Sequence, residues 1–170
     1  MPLTLLTDVA EALLTTAAGS GSQVAIAEIA LGDGLGANYN PSHSQTALKR
    51  ERARQPILSR VQTDPNTWRV KAEFDTDTPA FEVREMGFFD AAGNLIAIWA
   101  GADVVPRQTG AIVYLVEHYL HLSRIDGGLI TIAAPDDRLI GFQAQVIRGL
   151  ADLRLEQFHQ AEALRAAGHI

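Results

Sequence analysis

The chain has 170 residues, carries a formal net charge of -6 at pH 7 and contains no cysteine. Its length fits one domain with a single core, and a hydrophobic content of 47% excludes an intrinsically disordered chain. The missing cysteine excludes disulfide scaffolds and thiolate sites, and the acidic balance argues against general nucleic-acid binding, which needs a basic surface.

The start of the chain predicts one helix followed by one strand. Thr7 is a favourable N-cap, Asp8 suits the first turn, and the apolar residues that follow repeat at helical spacing until the glycines at 19 and 21. The segment 23–31 alternates weakly as a strand, and the glycine-rich segment 32–36 predicts a flexible turn.

The N-terminus does not have the features of a signal or membrane segment. No basic stretch precedes its apolar residues, so no secretory signal is expected. No apolar run reaches the roughly 20 residues of a membrane span, so we expect no membrane insertion. These features predict synthesis in a cytoplasm.

The middle of the chain predicts a short helix at 45–54. After Pro56 the apolar period changes to two, which predicts a series of strands. The predicted strands are 67–75, 81–89, 95–99, 111–122 and 129–133. A glycine-containing turn joins the second and third of them into a hairpin.

The C-terminal segment from residue 138 to residue 167 contains no proline and is rich in Leu, Ala, Gln, Glu and Arg, which predicts one long helix. Its heptad seam supplies the candidate oligomerisation residues Leu139, Val146, Leu150, Leu153, Gln157, Gln160 and Leu164. Two interpretations stay open, packing on the chain's own sheet or bundling between subunits.

Together these elements predict an α+β fold. It would be a mainly antiparallel β-sheet or sandwich domain with an N-terminal helix and a long C-terminal helix. The composition changes after Pro135, which places a domain boundary between residues 134 and 135.

Several patterns resemble ligand sites, but each has a simpler structural interpretation. His118 and His121 would lie on opposite faces of a strand and could not share a metal. Asp75 and Asp77 match part of a calcium loop whose glycine and closing glutamate are missing, which favours an acidic turn. The segment 32–36 is not a dinucleotide fingerprint, because no helix signal follows it.

Two further patterns are weak indications of a catalytic or phosphate-binding site. Ser42 and Ser44 flank His43, but adjacent residues rarely reach nucleophile–base geometry, and no nucleophile elbow is present. The basic run 49–54 is more typical of a solvated face than of a phosphate site. No pattern supplies a nucleophile, a base and an orienting residue together, so we expect no catalysis, no cofactor and no metal.

Four segments, in chain order, resemble a known family. They are Leu6-Thr7-Asp8, Gly32-Asp33-Gly34, Gln45-Thr46-Ala47-Leu48 and Arg84-Glu85-Met86-Gly87-Phe88-Phe89-Asp90-Ala91-Ala92-Gly93-Asn94-Leu95. This order is similar to the N-terminal domain of phage tail fibre (tail-collar fibre) proteins of the P2 and Mu type and of R-type pyocins. The matching motif residues are Gly32, Asp33, Gly34, Arg84, Glu85, Gly87, Asp90 and Gly93. The segment 102–108 departs from the proline-rich segment of the family.

The resemblance implies a structural protein of the virion tail without catalysis, made in the bacterial host cytoplasm. Residues 1–134 would attach to a phage baseplate protein, and residues 135–170 would oligomerise or dock a distal tail fibre protein. Fibres of this family are usually trimers, so a homo-oligomer is expected, with a trimer favoured. The family usually continues into a long shaft, so we expect this chain to be a fibre base or adaptor.

Two alternative functions stay open at this stage. The first is a lectin-like module that binds a host receptor, in which Trp68 or Trp99 stacks on sugar rings. The second is a small cell-wall hydrolase built around Asp33, Glu117 or His118.

Overall fold

The computed structural model describes residues 4–110, 112–121 and 128–136. Contacts divide the chain into two compact units, Met1–Pro135 and Asp136–Ile170, and the elements described here belong to the first. The described part contains one α-helix, α1 (Asp8–Ser20), and one short 3-10 turn, Gly34–Gly36. Its strands are β1 (Thr4–Leu6), β2 (Val24–Gly32), β3 (Glu51–Pro56), β4 (Ser59–Asp64), β5 (Thr67–Phe74), β6 (Glu82–Val83), β7 (Glu85–Asp90), β8 (Leu95–Ala100), β9 (Arg107–Gln108), β10 (Tyr114–His121) and β11 (Ile130–Ile132).

Helix α1 has the boundaries that its cap residues predict. The Thr7 hydroxyl accepts a hydrogen bond from the Ala10 N–H at 3.2 Å, and Asp8 lies in the first turn. Gly21 ends the helix in the left-handed conformation at φ 68°. The apolar face buries Ala10, Leu14 and Ala17 against the larger core, so this sequence prediction is confirmed.

The larger sheet is built around β2. Its strand order is β1-β8-β7-β2-β11, and β3 also pairs with β2. All of these pairs are antiparallel except β11 with β2, which is parallel. The β7–β8 hairpin confirms the predicted turn, in which Asp90 accepts hydrogen bonds from the backbone N–H groups of Ala92 and Asn94.

The smaller sheet has the order β10-β5-β4, and β6 and β9 form a separate pair. Strands β5 and β10 pair in register over eight residues without a bulge. The predicted alternation is confirmed, because Val70, Ala72 and Phe74 of β5 are buried while Glu73 is exposed.

Both faces of the larger sheet are covered. One face packs against α1 and the smaller sheet, and this larger core includes Ile29, Phe88 and Phe74. The other face carries a smaller apolar cluster of Ala30, Leu48, Phe89, Leu95 and Ile98. Leu48 belongs to the segment between β2 and β3, so this segment covers a face of the sheet.

Two predictions about fold are wrong for the described residues. The α+β class is incorrect, because the described residues are predominantly β-strand with a single α-helix of 13 residues. The predicted helix at 45–54 is absent, and its second half is β3. Pairing with β2 decides this segment, since tertiary hydrogen bonding overrides a weak helix propensity.

The predicted C-terminal helix at 138–167 lies outside the described residues. The same holds for its candidate oligomerisation residues, Leu139, Val146, Leu150, Leu153, Gln157, Gln160 and Leu164.

Candidate functional site

Strand pairing brings the two most distinctive motif blocks together. Gly32, the last residue of β2, is the antiparallel partner of Glu85, the first residue of β7. The two residues are separated by 52 positions in the sequence, so their proximity follows only from the register of the sheet. We use the name Glu85 cluster for Gly32, Asp33, Gly34, Tyr39, Arg50 and Glu85.

The centre of the cluster is the fully buried carboxylate of Glu85. Its Oε1 accepts hydrogen bonds from the backbone N–H groups of Gly34 at 3.1 Å and Arg50 at 3.0 Å. Its Oε2 accepts from the Lys49 N–H at 3.0 Å and from the Tyr39 hydroxyl at 2.5 Å. Four donors from three parts of one loop therefore compensate the desolvation of a single charge.

Tyr39 is held in this arrangement as a neutral hydroxyl. Burial raises the pKa of Tyr39, and the hydrogen bond to Glu85 raises it further. The phenol therefore stays protonated and remains a donor across the physiological pH range.

Asp33 fixes the same loop by a second ionic contact. The Arg50 Nε–H is shared between the two carboxylate oxygens of Asp33, at 2.7 and 3.0 Å, and Arg50 Nη2 donates a further hydrogen bond at 2.6 Å. These bonds from Arg50 hold the pKa of Asp33 below its usual range. Asp33 Oδ1 also accepts from the Leu35 N–H at 3.1 Å, so one carboxylate joins the turn after β2 to the start of β3.

Two motif glycines are required by close approach. A Cβ on Gly32 would lie 2.5 Å from Glu85 Oε1 and 2.7 Å from the carbonyl oxygen of Arg50. A Cβ on Gly87 would lie 2.6 Å from the Phe89 ring and 3.1 Å from Leu48. The glycines let the loop backbone reach the buried carboxylate and let the smaller apolar cluster close.

Arg84 and the remaining motif residues support neighbouring loops. Arg84 donates to Asn38 Oδ1 at 2.9 Å and forms an ion pair with Glu82. Asn38 in turn donates to the carbonyl oxygens of Ala102 and Val104, which ties the segment after β8 to this loop. Gly93 has φ 85° and closes the β7–β8 turn beside Asp90.

Sequence reasoning gave Glu85 only as a motif residue of the family and did not identify it as a fully buried side chain. It also missed Tyr39 and Arg50. Tyr39 lies in a polar loop without an apolar period, and Arg50 lies in the segment for which the sequence predicted a helix. The only sequence signal for Arg50 was its place in the basic run 49–54.

A cavity of about 200 Å³ lies between β10 and the larger sheet. Its lining includes Met86, Trp99, Tyr114, Val116 and His118. Its volume is below the roughly 300–1,000 Å³ of typical ligand pockets, so we assign no small-molecule ligand to it.

His118 is the titratable group in this region that has a strongly altered pKa. Its ring lies 5.2 Å from the Phe88 ring and 6.0 Å from the Trp99 ring, and its Nε2 is 3.1 Å from the Thr4 hydroxyl. Desolvation among these groups lowers the pKa of His118 to about 4. The imidazole is therefore neutral in the folded protein at neutral pH.

We expect His118 to make stability pH-dependent. Well above pH 6.5 the imidazole is neutral in the folded and unfolded states, and the folded protein has its full stability. As the pH falls from 6.5 to 4, only the unfolded state binds the proton, so the free energy of unfolding decreases by about 3 kcal/mol from this group. In urea titrations between pH 7 and pH 4, His118→Asn should remove this part of the decrease.

The control for this prediction is His121→Asn, at the exposed end of β10, which should retain the decrease that His118 contributes. Equal profiles for the wild type and His118→Asn would contradict the assignment.

The structure separates the residues proposed for a hydrolase. His118 faces the larger sheet, whereas Glu117 alternates to the other face of β10 and lies 3.7 Å from Arg69 and 3.8 Å from Lys71. Asp33 is engaged by Arg50. The three candidates therefore have different partners and do not form one site.

The two tryptophans that could stack on sugars are partly buried and pack against the larger core. The Arg60 guanidinium lies 5.4 Å from the Trp68 ring centroid, and Trp99 contacts His118. Their faces are therefore used in intramolecular packing, as core tryptophans are.

The other predicted patterns have local structural roles. Asp75 accepts from the Asp77 N–H at 3.1 Å, as expected for an acidic turn. His43 Nδ1 lies 2.7 Å from the Leu6 carbonyl oxygen. Within residues 4–110, 112–121 and 128–136, no three His, Asp or Glu side chains are grouped as a metal site. In the same described part, no helix has the length and apolar character needed to span a membrane.

Comparison with known proteins gives one match. A family model described as phage tail-collar fibre protein, N-terminal, matches residues 1–110. No curated protein and no solved structure matches the chain. The matched span contains α1, β1 to β9 and the whole Glu85 cluster.

Proposed function

This chain belongs to the phage tail-collar fibre protein family, and from that premise we propose that it anchors a tail fibre to the baseplate. Family membership makes it a structural protein of the phage tail. In our proposal a baseplate protein binds the unit 1–135, and a distal tail fibre protein continues outward. The role is mechanical attachment without catalysis, after synthesis in the bacterial host cytoplasm.

The observation that carries this proposal is the structural use of the motif residues. Glu85 accepts four hydrogen bonds, and Asp33 binds Arg50 through both carboxylate oxygens. These contacts fix one loop to the sheet at several points, and a fully satisfied buried network is rigid. An attachment domain needs this rigidity, because it transmits force from a fibre to the tail without changing shape.

Tails that lack this chain test the proposal directly. We expect particles from a strain deleted for this gene to assemble tails and baseplates without fibres, and complementation with the wild-type gene to restore the fibres. A gold-labelled chain should lie at the junction between baseplate and fibre in electron micrographs. Label at the fibre tip, or normal fibres on the deleted particles, would overturn the proposal.

We also propose that the chain forms a homo-oligomer, with a trimer favoured by the family resemblance. The support within the described residues is the outer face of β10, where Leu115 and Tyr119 are 58% and 56% exposed. Ile112 and Val113, directly before this strand, are also exposed. Exposed apolar residues at the edge of a sheet are typical of surfaces that another copy covers.

Replacing Leu115 and Tyr119 together with serine should weaken this association. Because both side chains are exposed in the single chain, the change should leave the fold intact while the oligomer dissociates at protein concentrations at least about tenfold higher. Light scattering of the full chain over a dilution series measures this. Leu58→Ser, at another exposed leucine, is the matched control. An unchanged oligomer in the double variant would show that β10 is not the contact.

A further inference from the structure

The turn that follows β2 presents a leucine to solvent in an unfavourable backbone conformation. Leu35 has φ 60° and ψ 30°, and its side chain is 62% exposed. It is the non-glycine residue with positive φ in the described chain, and it lies between Gly34 at φ 60° and Gly36 at φ 82°. Leucine is poorly suited to this conformation, which glycine or asparagine adopts at lower cost.

The Glu85 cluster maintains this conformation. Asp33 accepts from the Leu35 N–H, and Glu85 accepts from the Gly34 N–H. The buried carboxylates thus hold the two backbone amides that precede the exposed side chain. A strained residue persists only where its surroundings determine it, and such residues concentrate at functional sites.

Three exposed cationic side chains lie around this turn, and two of them are paired with Asp33. Asp33 is 7% exposed and Glu85 is fully buried, so both carboxylates lie inside. Arg50 binds Asp33 from the exposed side, and Arg52 lies 3.8 Å from the same carboxylate. The Lys49 ammonium lies 3.8 Å from the centre of the Tyr39 ring, which itself packs beside Gly34. An apolar tip is thus bordered by exposed cations on a chain whose net charge is -6.

We propose that Leu35 is the anchor by which this chain docks on its baseplate protein, and that the partner presents an apolar pocket with an acidic rim. This inference rests on the proposed function and adds the contact residue and the chemistry of the partner surface. The apolar tip enters the pocket, and Lys49, Arg50 and Arg52 face the rim. Because the turn already holds the tip in one conformation, little conformational entropy is lost on binding, and this strengthens the affinity for the partner.

If Leu35 is a docking residue, one substitution should change stability and attachment in opposite directions. A purely structural role of Leu35 would not produce that result. Asparagine tolerates the left-handed conformation, so Leu35→Asn should raise the Tm of the full chain by about 2–4 °C. The same change should reduce attachment to tails by at least about tenfold, because it removes the apolar anchor. Leu35→Met keeps an apolar tip and should retain attachment.

The assay uses tails purified from a strain that lacks this gene, mixed with the full chain at increasing concentration and sedimented. Bound chain is measured in the pellet for the wild type, Leu35→Asn, Leu35→Met and the exposed-leucine control Leu58→Asn. Lys49→Glu should weaken binding most at low ionic strength, whereas its control Lys71→Glu should not.

The outcomes distinguish the inference from the function on which it rests. Binding of the wild type but not of Leu35→Asn supports both. Equal binding of the two overturns the Leu35 anchor and leaves the baseplate function standing, whereas absence of the wild type from the pellet overturns both. Loss of binding with Lys49→Glu alone would indicate a purely electrostatic site and overturn the apolar pocket. Dissociation of the free oligomer by Leu35→Asn would place the pocket on a second copy of the chain and overturn the baseplate as occupant.

Discussion

Glu85→Gln should lower the free energy of unfolding by about 3 kcal/mol, although the two side chains have the same shape. The carboxylate accepts four hydrogen bonds in a fully buried position. An amide has one oxygen, so its NH2 group must face donors on one side. It would meet the Gly34 and Arg50 amides in one orientation, or the Lys49 amide in the other. A buried donor left without an acceptor costs about 1–3 kcal/mol, and loss of charge weakens the remaining bonds.

Urea unfolding of the full chain measures this change in the free energy of unfolding. In thermal unfolding, the Tm should decrease by about 6–12 °C. Glu82→Gln is the matched control, since Glu82 is exposed and its ion pair with Arg84 lies at the surface. It should cost no more than about 1 kcal/mol. A Glu85→Gln protein as stable as the control would show that the carboxylate does not hold the loop.

Tyr39→Phe provides an internal check on this network. The phenol contributes one of the four donors, so its loss alone should cost about 1–2 kcal/mol. Because both residues belong to one network, the double variant Glu85→Gln, Tyr39→Phe should be less destabilised than the sum of the single changes. Simple additivity would contradict a shared network.

The second large effect is expected for Gly32→Ala. A single methyl group would lie 2.5 Å from Glu85 Oε1 and 2.7 Å from the Arg50 carbonyl oxygen. Backbone and a fully bonded carboxylate cannot move aside without breaking the Glu85 cluster. We therefore expect a loss of about 3 kcal/mol or more, at the upper end of the cost of overpacking.

Gly19→Ala is the control that distinguishes the effect of a steric clash from the general effect of replacing glycine by alanine. Gly19 lies within α1, and a Cβ there has no neighbour within 4 Å. The same substitution should therefore stabilise the protein by about 0.5–1 kcal/mol. Thermal unfolding of both variants checks the opposite signs, and a Gly32→Ala protein with wild-type stability would be inconsistent with the close approach of loop and strand.

Local sequence signals predicted the elements that are built from neighbouring residues. Helix α1 has the cap at Thr7 and the terminating Gly21 that the sequence indicated. The β7–β8 hairpin forms around the predicted turn at Asp90 and Gly93. Each of these features depends on contacts over a few residues, which hydrophobic period and turn chemistry describe well.

The segment between β2 and β3 could not be predicted in the same way. The helix predicted at 45–54 was wrong, because β3 is defined by pairing with β2 rather than by its own period. Tyr39 and Arg50 gained their roles only when the fold brought them to Glu85 and Asp33. Neither residue has a sequence neighbour that indicates its partner.

The sequence by itself therefore determined α1, the main strands and, through the order of its motif blocks, the family. The tertiary structure decided what those motif residues do. Gly32, Asp33 and Glu85 meet because β2 and β7 pair in one register, a contact across 52 positions that no local pattern specifies. Burial of a carboxylate is favourable only when enough donors reach it, and the fold alone brings the donors of one loop to Glu85.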